Sequence, residues 1–327
     1  MNLRANKQVP NVVAIGGGTG LSVMLRGLKH QPVNLTAVVT VADDGGSSGI
    51  LRSELHIPPP GDIRNVLVAM SDVEPLLSQM LQYRFDSGAG LAGHSLGNLI
   101  LAAMKDITGD FLTGVKELSR VLAVRGRVLP ASEHPIVLKA EMDDGMIVEG
   151  ESNIPKARGH IKRVFIEPAD VAPLDEALAA IREADAIVVG PGSLYTSILP
   201  NLLVPQIAQA VAQADAVKIF VCNVMTQPGE TDGYSVTGHL QAIADHVGDR
   251  LFHYVIVNNG EIPKHVKERY AMEGAAEVRL DLEEVTRQGY EVIADSLVLH
   301  QTFLRHDAEK LSQHIYRLVE GRLKRKR

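Results

Sequence analysis

Apolar residues in this chain come in short unbroken runs that stop at glycine, and that pattern predicts its elements. Val12–Ile15 reads VVAI with no polar alternation, as a strand buried on both faces does; GGGTG then breaks it before LSVMLRGLK, which reads as a helix. Leu35–Val41 is a second such strand, and it runs into ADDGGSSG. Strand, helix and strand within about 30 residues make a βαβ unit with a right-handed crossover. Loops at the C-terminal ends of parallel strands share one crevice, so Gly16–Gly20 and Asp43–Gly49 are expected to face the same ligand.

The following segment, HIPPPGDIRN, has prolines that close one element and places Asp62 to cap the next helix. Ile63 to about Leu122 is helical in pattern, interrupted by GAGLAGHSLGN, and this block of about 62–127 is expected to wall the pocket. Over about 129–163 the alternation flanking Asp143-Asp144-Gly145 predicts a hairpin, and KRVFIEP adds a strand. The reading is a small β insertion packed on the sheet's edge. Strands are then predicted at Ala186–Val189, Lys218–Cys222 and His253–Val257, near Val278 and at Glu291–Ala294, and an amphipathic helix from about Asp307 to Leu323. The economical fold is α/β, a doubly wound, mostly parallel sheet in a single domain over residues 1–327.

Composition narrows the function. Lysine and arginine number 33 against 39 acidic residues, a net charge of −6 that gives no support to bulk nucleic-acid binding; the basic tail GRLKRKR reads as a solvated terminus. The single cysteine, Cys222 in KIFVCNV, excludes an internal disulfide framework and reads as a buried thiol. No HExxH pattern is present, and His239, His246, His253 and His265 read as surface or packing residues. MNLRANKQVPN lacks an apolar signal region, and no run nears the roughly 18 apolar residues of a membrane span, so a cytoplasmic protein is expected.

The glycine loops carry the chemistry. Gly17, Gly18, Thr19 and Gly20 let backbone approach a ligand closely at a helix N-terminus, which suits a phosphate. This is not the dinucleotide fingerprint, because Leu21 stands where its third glycine belongs, and no Gly-Lys-Ser/Thr follows for a P-loop. Asp43 and Asp44 at a strand end suit a ribose, or Mg²⁺ held against a diphosphate, unless one of them merely caps the turn. With Asp62 they are the catalytic candidates. Arg64 and Asn65 are placed to touch a phosphate or sugar, and His94, Ser95 and Asn98 read as polar pocket wall. Gly190, Gly192, Ser193, Tyr195 and Thr196 form a second strand-to-helix turn able to seat another phosphate, a base or a distal group. Asn223, with Thr226 and Gln227, fits the same crevice.

With GGGTG, TVADDGGSSG, PPPGDIRN, GHSLGNLIL, GPGSLYTSILPNLL and NVMTQPGET in order, the chain resembles the YvcK or gluconeogenesis-factor family (UPF0052) from Val12 to about Leu318. That family is related to the 2-phospho-L-lactate transferases (CofD) of deazaflavin coenzyme synthesis. The resemblance implies a Rossmann-like fold holding a nucleotide-linked ligand. In the transferase branch a phospholactyl group moves from a guanosine diphosphate carrier with Mg²⁺. In the YvcK-like branch members bind UDP-sugars such as UDP-N-acetylglucosamine and are implicated in carbon metabolism, cell-wall precursor supply and cell shape. There a C-terminal tyrosine and arginine hold the UDP-sugar, and the matching positions are Tyr270 in KERYAMEGAAEV and Arg305 in TFLRHD. The forms ADDGGSSG and GPGSLYTS, and the absence of tryptophan, favour the YvcK branch. The expectation is a UDP-sugar-binding regulator read by a partner protein and assembled as a homodimer; the rival is a Mg²⁺-dependent transferase.

Overall fold

The computed structural model of the chain describes residues 9–300 and 304–325. Most of MNLRANKQVPN, Thr302 and Phe303 of TFLRHD, and the last two residues of the basic tail lie outside them. The strand, glycine turn and helix form as β1 (Asn11–Gly16) and α1 (Gly18–Leu28), and β2 (Asn34–Val39) lies parallel to β1. The apolar runs are unbroken because both faces of the sheet are covered. Val13 and Ile15 enter one core, Val12 and Ala14 the other.

Five helices follow: α2 (Gly46–Leu55), α3 (Pro60–Met70), α4 (Pro75–Gln82), α5 (Leu96–Thr108) and α6 (Phe111–Val121). Two local expectations change here. The glycine-rich stretch after Asp43 is only briefly a loop, because Gly46, at φ +44°, begins α2. Asp62 is not a helix cap: Pro60 occupies the first turn, where its missing N–H costs nothing, and Pro59 precedes it. Ser95 and Asp110 do cap, accepting from Asn98 N at 3.1 Å and Thr113 N at 2.8 Å.

Next come β3 (Arg127–Pro130), β4 (Val137–Met142), β5 (Ile147–Glu149) and β6 (Ile161–Glu167). Leu129 belongs to the main sheet, where β3 pairs parallel with β2; only β4, β5 and β6 form the antiparallel insertion, in the order β5-β4-β6. The insertion covers a face of the main sheet and not its edge. Alternate residues of β4 are buried, and Leu138, Ala140 and Met142 join Val13, Ile15 and Ile187 in one core.

The α/β alternation resumes with α7 (Asp175–Arg182) and β7 (Ala186–Val189); a π-helical turn over Leu194–Ile198 then leads into α8 (Leu199–Leu203). Further along are α9 (Ile207–Gln213), β8 (Val217–Val221), α10 (Val236–Val247), β9 (Tyr254–Asn258), α11 (Lys264–Met272), α12 (Leu282–Arg287) and β10 (Glu291–Asp295). The hairpin β11 (Val298–His300) and β12 (Leu304–His306), invisible in the pattern, precedes α13 (Ala308–Arg325). Val278 lies between two isolated bridges and not in a strand.

The main sheet runs β10-β9-β8-β7-β1-β2-β3 with every neighbouring pair parallel. Strand order therefore reverses between β1 and β7, and α1 leaves toward one face while α8 leaves toward the other. That reversal opens a crevice at the C-terminal strand ends, where α/β sheets take ligands.

Candidate functional site

The two strand-to-helix turns touch at the reversal. Gly17 is extended and Gly18 sits at φ +67°, a conformation that favours glycine. A Cβ on Gly20 would lie 2.7 Å from the carbonyl oxygen of Pro191, so the turns pack backbone to backbone. Between them a cleft of about 230 Å³ opens. Gly17, Gly18, Thr19 and Gly20 line one side, Gly192, Ser193 and Ser197 the next, and Asn223, Thr226 and Gln227 the third. Tyr270 and Arg305 close it from the C-terminal elements. A larger hollow, about 590 Å³, lies at the opposite strand ends between Asn11, Lys29 and Arg127, far from both glycine turns.

Asn223 fixes the second turn, accepting from Gly192 N at 3.1 Å and donating to Gly192 O at 2.7 Å. Tyr270 Oη accepts from Leu304 N at 3.2 Å, and the Arg269 guanidinium lies over its ring. Of the residues expected at the ligand, Asp43, Asp44, Arg64, Asn65, His94, Asn98, Gly190, Tyr195 and Thr196 do not line this cleft. Gly190 is behind the cleft, where a Cβ would meet Val221 O at 2.8 Å. Tyr195 and Thr196 are wound inward by the π-helical turn: Tyr195 Oη bonds Tyr234 Oη at 2.7 Å, and Thr196 Oγ1 donates to buried Glu230 at 3.1 Å. Burial pushes the Glu230 carboxyl up to about 7.

On the β2 side of the cleft, carboxylates gather. Asp43 Oδ1 accepts from Gly45 N, and Asp44 Oδ1 from Ser152 N in the β insertion, both at 2.9 Å. Asp62 accepts from the backbone N–H of Gly18 in the Gly17–Gly20 turn; burial, then the charge of Asp43, pushes it up to about 7. Glu151 is pushed up to about 8 by burial and then by Asp43, Asp62 and Asp44. Nothing in VEGESN marks Glu151, and only the fold of the insertion brings it here. Such crowded charge is chemically suited to a dication, yet among the described residues no three His, Cys, Asp or Glu side chains gather around one point. Asp43 and Asp44 could offer one or two oxygens, as magnesium commonly uses, with ligand phosphate completing the shell.

Arg64, Asn65, His94 and Asn98 form a polar seam joining the start of α2 to the start of α5. Arg64 donates to Ser95 Oγ and to Asn65 Oδ1, the latter at 2.9 Å. His94 Nδ1 meets Ser47 Oγ at 3.1 Å, and Asn98 Nδ2 donates to Ser48 Oγ at 3.3 Å. Both His94 and Asn98 are buried. The remaining chemistry is structural. His246 Nε2 accepts from Val164 N at 2.8 Å, His253 Nδ1 accepts from Lys218 N at 3.2 Å, a ring nitrogen of His239 bonds Ser235 O, and His265 is exposed. Burial raises the Cys222 thiol well above its ordinary value.

Residues 12–298 match the 2-phospho-L-lactate transferase (CofD) family. A gluconeogenesis factor of Halalkalibacterium halodurans is 60% identical over 313 residues, covering 95% of this chain and 96% of that protein. The gluconeogenesis factor of Bacillus subtilis is 56% identical over 314 residues, covering 96% and 99%. A crystal structure of a UPF0052-family protein from Bacillus halodurans superposes with a TM-score of 0.92 at 59% identity, over 95% of this chain and 100% of that one. No helix among the described residues is long and apolar enough to cross a membrane. The chain belongs to the gluconeogenesis-factor (YvcK, UPF0052) family, which is related to the CofD 2-phospho-L-lactate transferases.

Proposed function

We propose that this protein binds a nucleotide-linked sugar of the UDP class and acts as a cytoplasmic regulator of carbon metabolism, cell-wall precursor supply and cell shape. One observation carries the reading: Gly17–Gly20, Gly192–Ser193, Tyr270 and Arg305, far apart in the chain, converge on one cleft. Diphosphate lies on the amides at the start of α1, and Tyr270 and Arg305 hold the nucleotide by stacking and charge. The names of the relatives support a regulatory role, in which a partner protein reads the ligand-bound homodimer.

Thermal unfolding with UDP-N-acetylglucosamine, other UDP-sugars, GDP and GTP, each with and without Mg²⁺, tests this. Ligand at about 100 times its Kd should stabilise the fold by roughly 2.7 kcal/mol, and Tyr270→Ala or Arg305→Ala should remove most of that gain. A preference for guanine nucleotides with Mg²⁺ would overturn the reading.

A second reading, a Mg²⁺-dependent transferase of a nucleotide diphosphate-linked group, rests on the carboxylates around Asp43 and Asp62. Asp43, Asp44 and Asp62 would orient metal or acceptor, and stabilisation of the departing phosphate would supply the catalysis. Turnover of a nucleotide-linked donor separates this reading from the first.

A further inference from the structure

Near the carboxylates of the β2 side, two guanidinium groups hold one loop. Arg64, half-buried on α3, donates to Ser95 Oγ; Arg84, exposed just after α4, donates to the carbonyl oxygen of Gly93. Residues 84 and 95 also pair as an isolated antiparallel bridge, so both side chains are held around the turn that contains His94. Neither arginine forms an ion pair among the described residues. Burial and then the like charge of Arg84 disfavour the charge on Arg64, Asp43 and Asp62 act the other way, and the buried Arg64 Nε has no hydrogen-bond partner among the described residues. The N-termini of α2 and α5 open onto the same place: Ser47 meets His94 at 3.1 Å, and a Cβ on Gly46 would lie 3.8 Å from Arg84 Nη1. A half-buried guanidinium held near a second like charge is costly unless an anion offsets the pair.

We propose that Arg64 and Arg84 form a second anion subsite, separate from the Gly17–Gly20 turn, that takes the carboxylate or phosphate group of an acidic sugar at the far end of the nucleotide-linked ligand. The proposal rests on the nucleotide-sugar reading for its direction. Asp62, two residues before Arg64 on α3, accepts from Gly18, so a single turn of α3 carries both an arginine of the subsite and a partner of the Gly17–Gly20 turn. A ligand whose nucleotide lies toward Tyr270 and whose diphosphate lies on Gly17–Gly20 would reach it with its sugar. Arginine forks suit a planar carboxylate or a phosphate by paired hydrogen bonds. The same chemistry could be supplied by a separate free anion, and the experiment distinguishes the two.

The test compares UDP-glucuronic acid with UDP-glucose, which differ only in a carboxylate for a hydroxymethyl group, by calorimetric titration of the full chain and of Arg84→Gln. Arg84 is exposed, so this variant should melt with the parent when no ligand is added. A preference of about tenfold for UDP-glucuronic acid, abolished in Arg84→Gln while UDP-glucose affinity is kept, is the expected result. Equal affinities, with UDP-glucose binding strengthened by millimolar inorganic phosphate only when Arg84 is present, keep the subsite and make the anion a separate molecule. A preference that survives Arg84→Gln, or no response to either anion, overturns the proposal. If no UDP-sugar binds, the nucleotide reading fails on its own. Inorganic phosphate alone then decides the subsite, which stands if phosphate raises the melting temperature less in Arg84→Gln and falls otherwise.

Discussion

Glu151 and Asp62 hold protons that an unfolded chain would release near pH 4, because burial and the charge of Asp43 push them to about 8 and about 7. With the folded value above the unfolded one, their stabilising effect is complete below about pH 4 and is lost as pH rises through 7 to 8. Glu151→Gln should therefore melt close to the parent at pH 5 and roughly 2–4 °C above it at pH 8.5, read by calorimetry across that range. A gap independent of pH would mean that Glu151 ionises freely. The same residues mark the limit of reading a site from sequence. Gly17–Gly20 was legible because a strand-to-helix turn demands glycine locally, whereas Glu151 becomes part of the site only when the insertion folds across the sheet. Tyr195 and Thr196 misled because five residues of π-helical winding, invisible in the spacing, turn them inward to Tyr234 and Glu230.

At the level of elements, α1 opens with the Gly17–Gly20 turn, and its far end is held by α13. A Cβ on Gly27 would lie 2.0 Å from the carbonyl oxygen of Ala308, so only glycine lets the two helices approach this closely. Gly27→Ala should cost about 2–4 kcal/mol in urea unfolding and weaken ligand binding by shifting α1. Gly321→Ala is the matched control: nothing lies within 4 Å of its Cβ, and the helical gain should stabilise by about 0.5–1 kcal/mol. Elements whose periodicity is local were legible, among them β1, α1, β2 and α13. β11 and β12 were not, because three-residue strands carry too few alternations to stand out. The insertion was legible as a hairpin, but its packing was not. The alternation of β4 says that one side is buried without saying against what.

For the molecule as a whole, the sequence implied parallel strands but not their order, and the order places the cleft. Reversal between β1 and β7 brings Gly17 beside Gly192, and Arg305 of β12 joins them only because that hairpin returns over α1 before α13 begins. The two halves of the chain therefore meet at the cleft, and neither half forms it alone. Hydrogen exchange on adding a saturating UDP-sugar should slow together at residues 17–28, 192–198, 223–227 and 264–272, since one ligand immobilises all four walls of the cleft. If the nucleotide lay along the carboxylates of the β2 side instead, protection would centre on 43–55 and 60–70 and leave 264–272 unchanged. That outcome would place the ligand beside Asp43 and Asp62, where transferase chemistry would need it, and would favour the enzymatic reading over the regulatory one.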